Sequence, residues 1–288
     1  MANYKILVPV DFSNSSIHAF EAARDLATLL GGRITPYHAM LIIPDSNLPK
    51  FPAIPELQID YEQLGKDLKP KLELLARRYV SSRLLNAAVI SKGLITPSII
   101  EASSDHDFIV MSSHGRSGYK RYIMGSVAEE VLRSSKVPVL IVKKTAQLQP
   151  LNKLLVCTDY SKSSRASFSW AMQIAQKAHA EIDLVHITSA HEPKPGSQRN
   201  TRENERRITS LADRHFSSYR KKVKPGVIYS DSPVHEALSD LINHDGYSLV
   251  VMATLGHSEL DYTLMGSTTA NVVRFSESPV LVVRPVQP

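Results

Sequence analysis

The sequence is poor in the features that would make its chemistry obvious. It has one cysteine, Cys157, so no disulfide can form within the chain and a reducing compartment is the natural setting. Its 11 histidines show no H-x-H or H-x-x-x-H spacing, and with a single cysteine there is no recognisable zinc pattern, so no structural metal is expected. No G-x-S-x-G elbow is present, and Ser113 and His114 are neighbours that an extended chain points to opposite faces, which argues against a hydrolytic triad. No stretch approaches the roughly 18 apolar residues of a membrane span. The opening MANYKILVPVDF lacks the charged head, apolar core and small-residue cleavage site of a secretory signal. The expectation is a soluble, cytoplasmic protein with no membrane partner. Charge is not lopsided either: 34 Lys and Arg against 28 Asp and Glu leave +6, which suits a polyanionic ligand without identifying one. The basic runs RNTRENERR (199–207) and RKKVK (220–224) carry no interleaved aromatics, so they read as solvated faces and nucleic acid is not an expected partner.

What is present is a duplication. KILVPVDFSNSS, starting at Lys5, returns as KLLVCTDYSKSS at Lys153, an offset of 148. KVPVLIVKK at Lys136 returns as ESPVLVVRP at Glu277, an offset of 141. The period is far longer than a solenoid repeat, so each copy is expected to be a domain of its own, 1–144 and 152–286, with the boundary in the polar stretch TAQLQPLN.

Within each copy short apolar runs alternate with helical patterns. In the first, Ile6 to Val10 reads as a strand buried on both faces, followed by a helix capped by Ser13 or Ser15 and ended by Gly31-Gly32. Further strands are expected at 34–40, 87–91, 108–112 and 139–143, and in the second copy at 153–158, 181–187, 224–229, 248–253 and 280–284. Such alternation implies an α/β fold of two similar domains, each a mainly parallel sheet with helices on both faces. Ligands of such sheets sit beyond the carboxyl ends of the strands, where strand order reverses.

Two marked regions fall at those carboxyl ends. Asp11 and Asp159 follow the first strand of each copy, and the segments MSSHGRSGYKRYIMGSVAEEVL (from Met111) and MATLGHSELDYTLMGSTTANVV (from Met252) follow the fourth. In both segments nine residues separate two glycines, Gly115 from Gly125 and Gly256 from Gly266. A glycine directly after a strand lets backbone N–H groups approach an anion, and Gly125-Ser126 opens a helix whose first N–H groups are unpaired. Anion donors on one side and a carboxylate on the other describe a nucleotide better than a bare phosphate. Plainer readings stand beside this one. Ser126 and Glu129 have the spacing of a capping box, and Asp11 and Asp159 are good helix N-caps. Cys157 reads as a small buried filler.

Taken together, these residues resemble the universal stress protein family in its tandem two-domain form, over nearly the whole chain. The family's ATP-binding pattern is G-x-x-G, nine residues, then G-S or G-T. This chain has Ser112-x-x-Gly115, nine residues, Gly125-Ser126, and Ala253-x-x-Gly256, nine residues, Gly266-Ser267, departing at the first glycine in each copy. The resemblance implies ATP as the ligand, with Mg2+ as its counter-ion. Asp11 would contact the adenosine, and Pro9, Val10 and Ala39 would line the base and ribose pocket. Met111, Ser112, Gly115, Gly125, Ser126 and Val127 would surround the ribose and phosphates. The matching set in the second copy is Cys157, Thr158, Asp159, Ile187, Met252, Ala253, Gly256, Gly266, Ser267 and Thr268. That second site is expected to be the weaker, because Arg116 and Lys120 lie in the first loop where Glu259 and Asp261 lie in the second. The resemblance also implies five-stranded parallel sheets and pairing of the two domains through their last strands, 139–142 and 280–283. The expected result is two sheets in contact rather than one continuous sheet, with a homodimer of chains as a further partner state. Three functions remain open: a nucleotide-binding stress or regulatory protein, a slow ATPase or autophosphorylating protein, and a nucleotide-free scaffold touching RNA.

Overall fold

The computed structural model describes residues 4–42, 60–113, 124–143, 148–189, 198–254 and 265–285. The first copy runs β1 (Tyr4–Pro9), α1 (Asn14–Leu30), β2 (Gly32–Leu41), α2 (Tyr61–Arg77), β3 (Val89–Gly93), α3 (Ile95–Ser103), β4 (Phe108–Ser112), α4 (Ser126–Ser134) and β5 (Val139–Val142). The second repeats that order as β6 (Lys153–Cys157), α5 (Ala166–Ala178), β7 (Glu181–Ser189), α6 (Gln198–His215), β8 (Val223–Ser230), α7 (Val234–His244), β9 (Leu249–Ala253), α8 (Ser267–Phe275) and β10 (Val280–Val283).

Local chemistry sets the boundaries. Ser13 caps α1, its side chain accepting the Ser16 N–H at 3.2 Å, and Gly31 closes the helix in the left-handed region at φ 80°. The third strand starts later than its apolar pattern predicts, because Leu85 makes only an isolated bridge to Ile34 and the ladder to β2 begins at Val89.

Within each copy all strand pairs are parallel, in the order β3-β2-β1-β4-β5 and, from the far end, β8-β7-β6-β9-β10. The last strands do meet, but edge to edge. β5 and β10 pair antiparallel, with Val280 opposite Ile141, Leu281 opposite Leu140 and Val282 opposite Val139. The two five-stranded halves therefore form one ten-stranded sheet. This corrects the expectation of two sheets that touch without merging. The physical reason is that a terminal strand reading VLIV or VLVV, buried on both faces, would otherwise leave a row of unpaired backbone groups at an apolar edge.

The two faces of the sheet carry separate cores, each continuous across the junction. Ile6 and Val8 point to the face covered by α1, α2, α5 and α6, while Leu7 points to the face covered by α3, α4, α7 and α8. Trp170 of α5 crosses between the copies, its ring 4.6 Å from that of Phe108 and 6.1 Å from that of Tyr4. The Tyr4 hydroxyl in turn donates to Gln173 at 2.8 Å.

Candidate nucleotide crevice

In the first copy the chain leaves β1 toward β2 on one side, while β4 lies on the other, so the strand order reverses between β1 and β4. Past the carboxyl ends of these strands lies a cavity of about 470 Å3. Nine of the ten residues predicted for this copy line it: Pro9, Val10, Asp11, Ala39, Met111, Ser112, Gly125, Ser126 and Val127. The tenth, Gly115, lies outside the described residues, as do Gly256 and the loop charges Arg116, Lys120, Glu259 and Asp261.

One wall is the turn after β1. Phe12 adopts φ 62°, a left-handed conformation that costs a bulky residue about 1–3 kcal/mol. Its counterpart Tyr160 does the same at φ 65°. Asp11 is not the cap of α1, since Ser13 holds that place; its Oδ1 instead accepts the Ser13 N–H at 3.0 Å, which fixes the carboxylate in the turn. Asp159 likewise caps no helix, its Oδ1 accepting from Ser161. His38 packs its ring 4.9 Å from Phe12 and donates from Nδ1 to the Val10 carbonyl at 2.7 Å. Because a carbonyl only accepts, Nδ1 carries the proton.

The opposite wall is the start of α4. Gly125 is the N-cap and Ser126 the first helical residue, with no side chain capping the helix. The capping-box reading is therefore corrected: Glu129 turns along the helix to pair with Arg133 at 3.0 Å. The first-turn N–H groups of a helix have no intrahelical partner, and here Ser126, Val127 and Ala128 all border the cavity.

A third wall, Ile95 and Ile99 of α3, went unrecognised in the sequence, together with Ser16, His38, Met40, Leu41 and Ser113. The isoleucines carry the i, i+4 spacing of any core-facing helix, and that spacing does not say which core.

The second copy places its matching residues on the same elements. Cys157 ends β6 with Thr158 and Asp159 after it, Ile187 lies on β7, and Met252 and Ala253 end β9. Gly266 is the N-cap of α8, and Ser267 and Thr268 open that helix. Cys157 is half-buried where it packs against the apolar core rather than fully enclosed, and the burial it has pushes its thiol up, to about 12. The basic run of this copy is engaged structurally: Arg220 pairs with Asp213, Lys224 with Glu181 at 2.6 Å, and Lys222 donates to the His179 carbonyl at 2.9 Å. Among the described residues there is no group of three or more His, Cys, Asp or Glu able to hold a metal ion, and no helix long and apolar enough to cross a membrane.

Comparison with known proteins shows relatives of the same fold. A universal stress protein of Mycolicibacterium smegmatis is 24% identical over 297 residues, covering 98% of this chain and 97% of its own. The crystal structure of a universal stress protein from Archaeoglobus fulgidus has the same fold, with a TM-score of 0.70 at 23% identity over 99% of both chains. A universal stress protein in complex with cAMP is 24% identical and covers 47% of this chain and 98% of its own, with a TM-score of 0.38. The model of the universal stress protein family matches twice, at residues 3–143 and 150–284. The chain belongs to the universal stress protein family, in its tandem two-domain form.

Proposed function

We propose that the protein binds an adenine nucleotide, ATP foremost, in the crevice of its first copy. On this reading it acts as a stress-response regulator whose conformation or choice of partner follows the nucleotide. The observation that carries the reading is the pairing of unlike walls across one cavity: the Asp11 carboxylate on one side and the uncapped first turn of α4 on the other. Backbone N–H groups at a helix start, with the Ser126 hydroxyl beside them, suit phosphate oxygens. The carboxylate suits ribose hydroxyls, and Val10, Ala39, Ile95 and Met111 offer apolar surface for a planar base. The volume falls within the range of about 300–1,000 Å3 common to small-molecule sites. The donor set therefore fits ATP, whose phosphates would bring Mg2+ with them as counter-ion.

Among the described lining residues the titratable side chains are Asp11 and His38. Denaturing freshly purified protein and identifying the released material by mass spectrometry tests the reading, followed by calorimetric titration of the emptied protein with ATP and Mg2+. An adenine nucleotide is expected, with binding weakened by Asp11→Ala. The absence of both released nucleotide and binding at up to about 1 mM ATP, a free energy of only some 4 kcal/mol, would remove the proposal.

A further inference from the structure

The second copy repeats the elements that wall the first crevice, but with different side chains at its matching positions. Ala39, Ala128 and Ser112 line the first cavity. The repeat offsets put Ile187, Thr269 and Ala253 in their places. Ile187 is 7% exposed and sits in the apolar core with Leu238, so three extra carbons occupy the wall that Ala39 leaves open. Thr269 is 4% exposed, and its hydroxyl donates to the Ala253 carbonyl at 2.9 Å. Its side chain therefore bridges the first turn of α8 and the end of β9, the interval bordered in the first copy by the small residues Ala128 and Ser112. The change from Ser112 to Ala253 removes a hydroxyl from the phosphate side.

We propose that Ile187 and Thr269 exclude the nucleoside from the second crevice, so that each chain holds one adenine nucleotide, in the first copy. This rests on the nucleotide reading of the first crevice and adds a stoichiometry and its cause. Close-packed walls do not yield to an inserted ring without displacing side chains and backbone, so each blocking side chain should weaken binding by about tenfold or more. The block should also be portable, since Ala39→Ile places the second copy's wall in the first.

Titration calorimetry of the full chain with ATP and Mg2+ is the test, with thermal melting of each variant to confirm folding. The expected results are one ATP per wild-type chain, loss of that binding in Ala39→Ile, and a second ATP gained when Ile187→Ala and Thr269→Ala are combined. Two ATP per wild-type chain would overturn the inference and leave the proposed function standing. One ATP per chain that survives Ala39→Ile in a folded variant would mean that the nucleotide lies in the second copy or that an isoleucine wall does not exclude it, and either would overturn the inference equally. No ATP at all would overturn both. Should the double variant not fold, the wild-type stoichiometry and Ala39→Ile still decide.

Discussion

Leu140 and Leu281 stand opposite one another across the antiparallel pair of β5 and β10, and each is the other's counterpart in the repeat, 141 positions apart. A residue meets its own counterpart only on a twofold axis, so the duplication places a local dyad between these two leucines. The flanking contacts obey it. Lys143 Nζ donates to the Arg274 carbonyl at 2.7 Å, and Arg284 Nη1 donates to the Arg133 carbonyl at 2.6 Å. Each cation thus reaches the last turn of the other copy's helix, where carbonyls lack partners and the helix dipole is negative.

Trp170 should report on this junction. Its ring stacks edge-on against Phe108 and lies beside Tyr4, both from the other copy, and it is the only tryptophan in the chain. Trp170→Ala should lower the unfolding free energy by about 2–4 kcal/mol, at or below the usual cost of a truncated core aromatic because the residue is only half-buried. Urea unfolding followed by circular dichroism measures this, and a loss below half a kcal/mol would show that the ring contributes little.

Ser126 offers a way to separate helix stability from ligand binding. It is the first residue of α4, and the preceding Gly125 has φ −65° and ψ 143°, a conformation that a following proline accepts. Ser126→Pro should therefore leave the melting temperature of the empty protein nearly unchanged. It removes one N–H and one hydroxyl from the phosphate side, so ATP affinity should fall about tenfold while adenosine affinity holds. Equal losses for ATP and adenosine would mean that α4 does not meet the phosphates.

Two histidines set a pH dependence. Burial holds His106 below its ordinary 6.5, and burial and the nearby Arg165 do the same to His215. His106 donates from Nδ1 to the Ala102 carbonyl at 2.8 Å, and its Nε2 lies 3.0 Å from the Thr35 hydroxyl, which can donate only to an unprotonated nitrogen. As pH falls through about 6.5 the unfolded chain takes up protons that the folded chain refuses, so stability is greatest above that value and declines below it. The urea midpoint should be lower at pH 5.5 than at 7.5, and His106→Asn should shrink the difference. A midpoint that rises on acidification would contradict the assignment.

Cys157 should be inert. With its thiol pushed up to about 12, little thiolate exists near neutral pH. A disulfide-exchange reagent at pH 8 should label the native protein at least about 100-fold more slowly than the urea-unfolded chain. Rapid native labelling would place the sulfur in a more open setting.

The fold was legible because the chain states it twice. Offsets of 148 and 141 align strand ends with strand ends, and Asp11 and Gly125 fall at the crevice for that reason. What failed to show were relations between distant elements. Nothing in VLIV or VLVV tells whether two apolar strands meet by faces or by edges, and only the β5–β10 ladder answers that. Ser126 and Glu129 have the right spacing for a capping box, but one position separates a cap from a first helical residue, and backbone angles rather than residue types decide it.

The dyad between Leu140 and Leu281 gives the molecule a direction. Strands are parallel within each copy and antiparallel across the junction, and α1, α2, α5 and α6 share one face. The carboxyl ends of the two sets of strands therefore lie at opposite rims of the ten-stranded sheet. With a nucleotide in the first crevice alone, one rim would change with the ligand and the other would stay constant. A partner docking at the first rim would sense occupancy, while a partner at the second would meet the same surface in both states, so a single chain could tether one protein steadily and present a nucleotide-dependent surface to another.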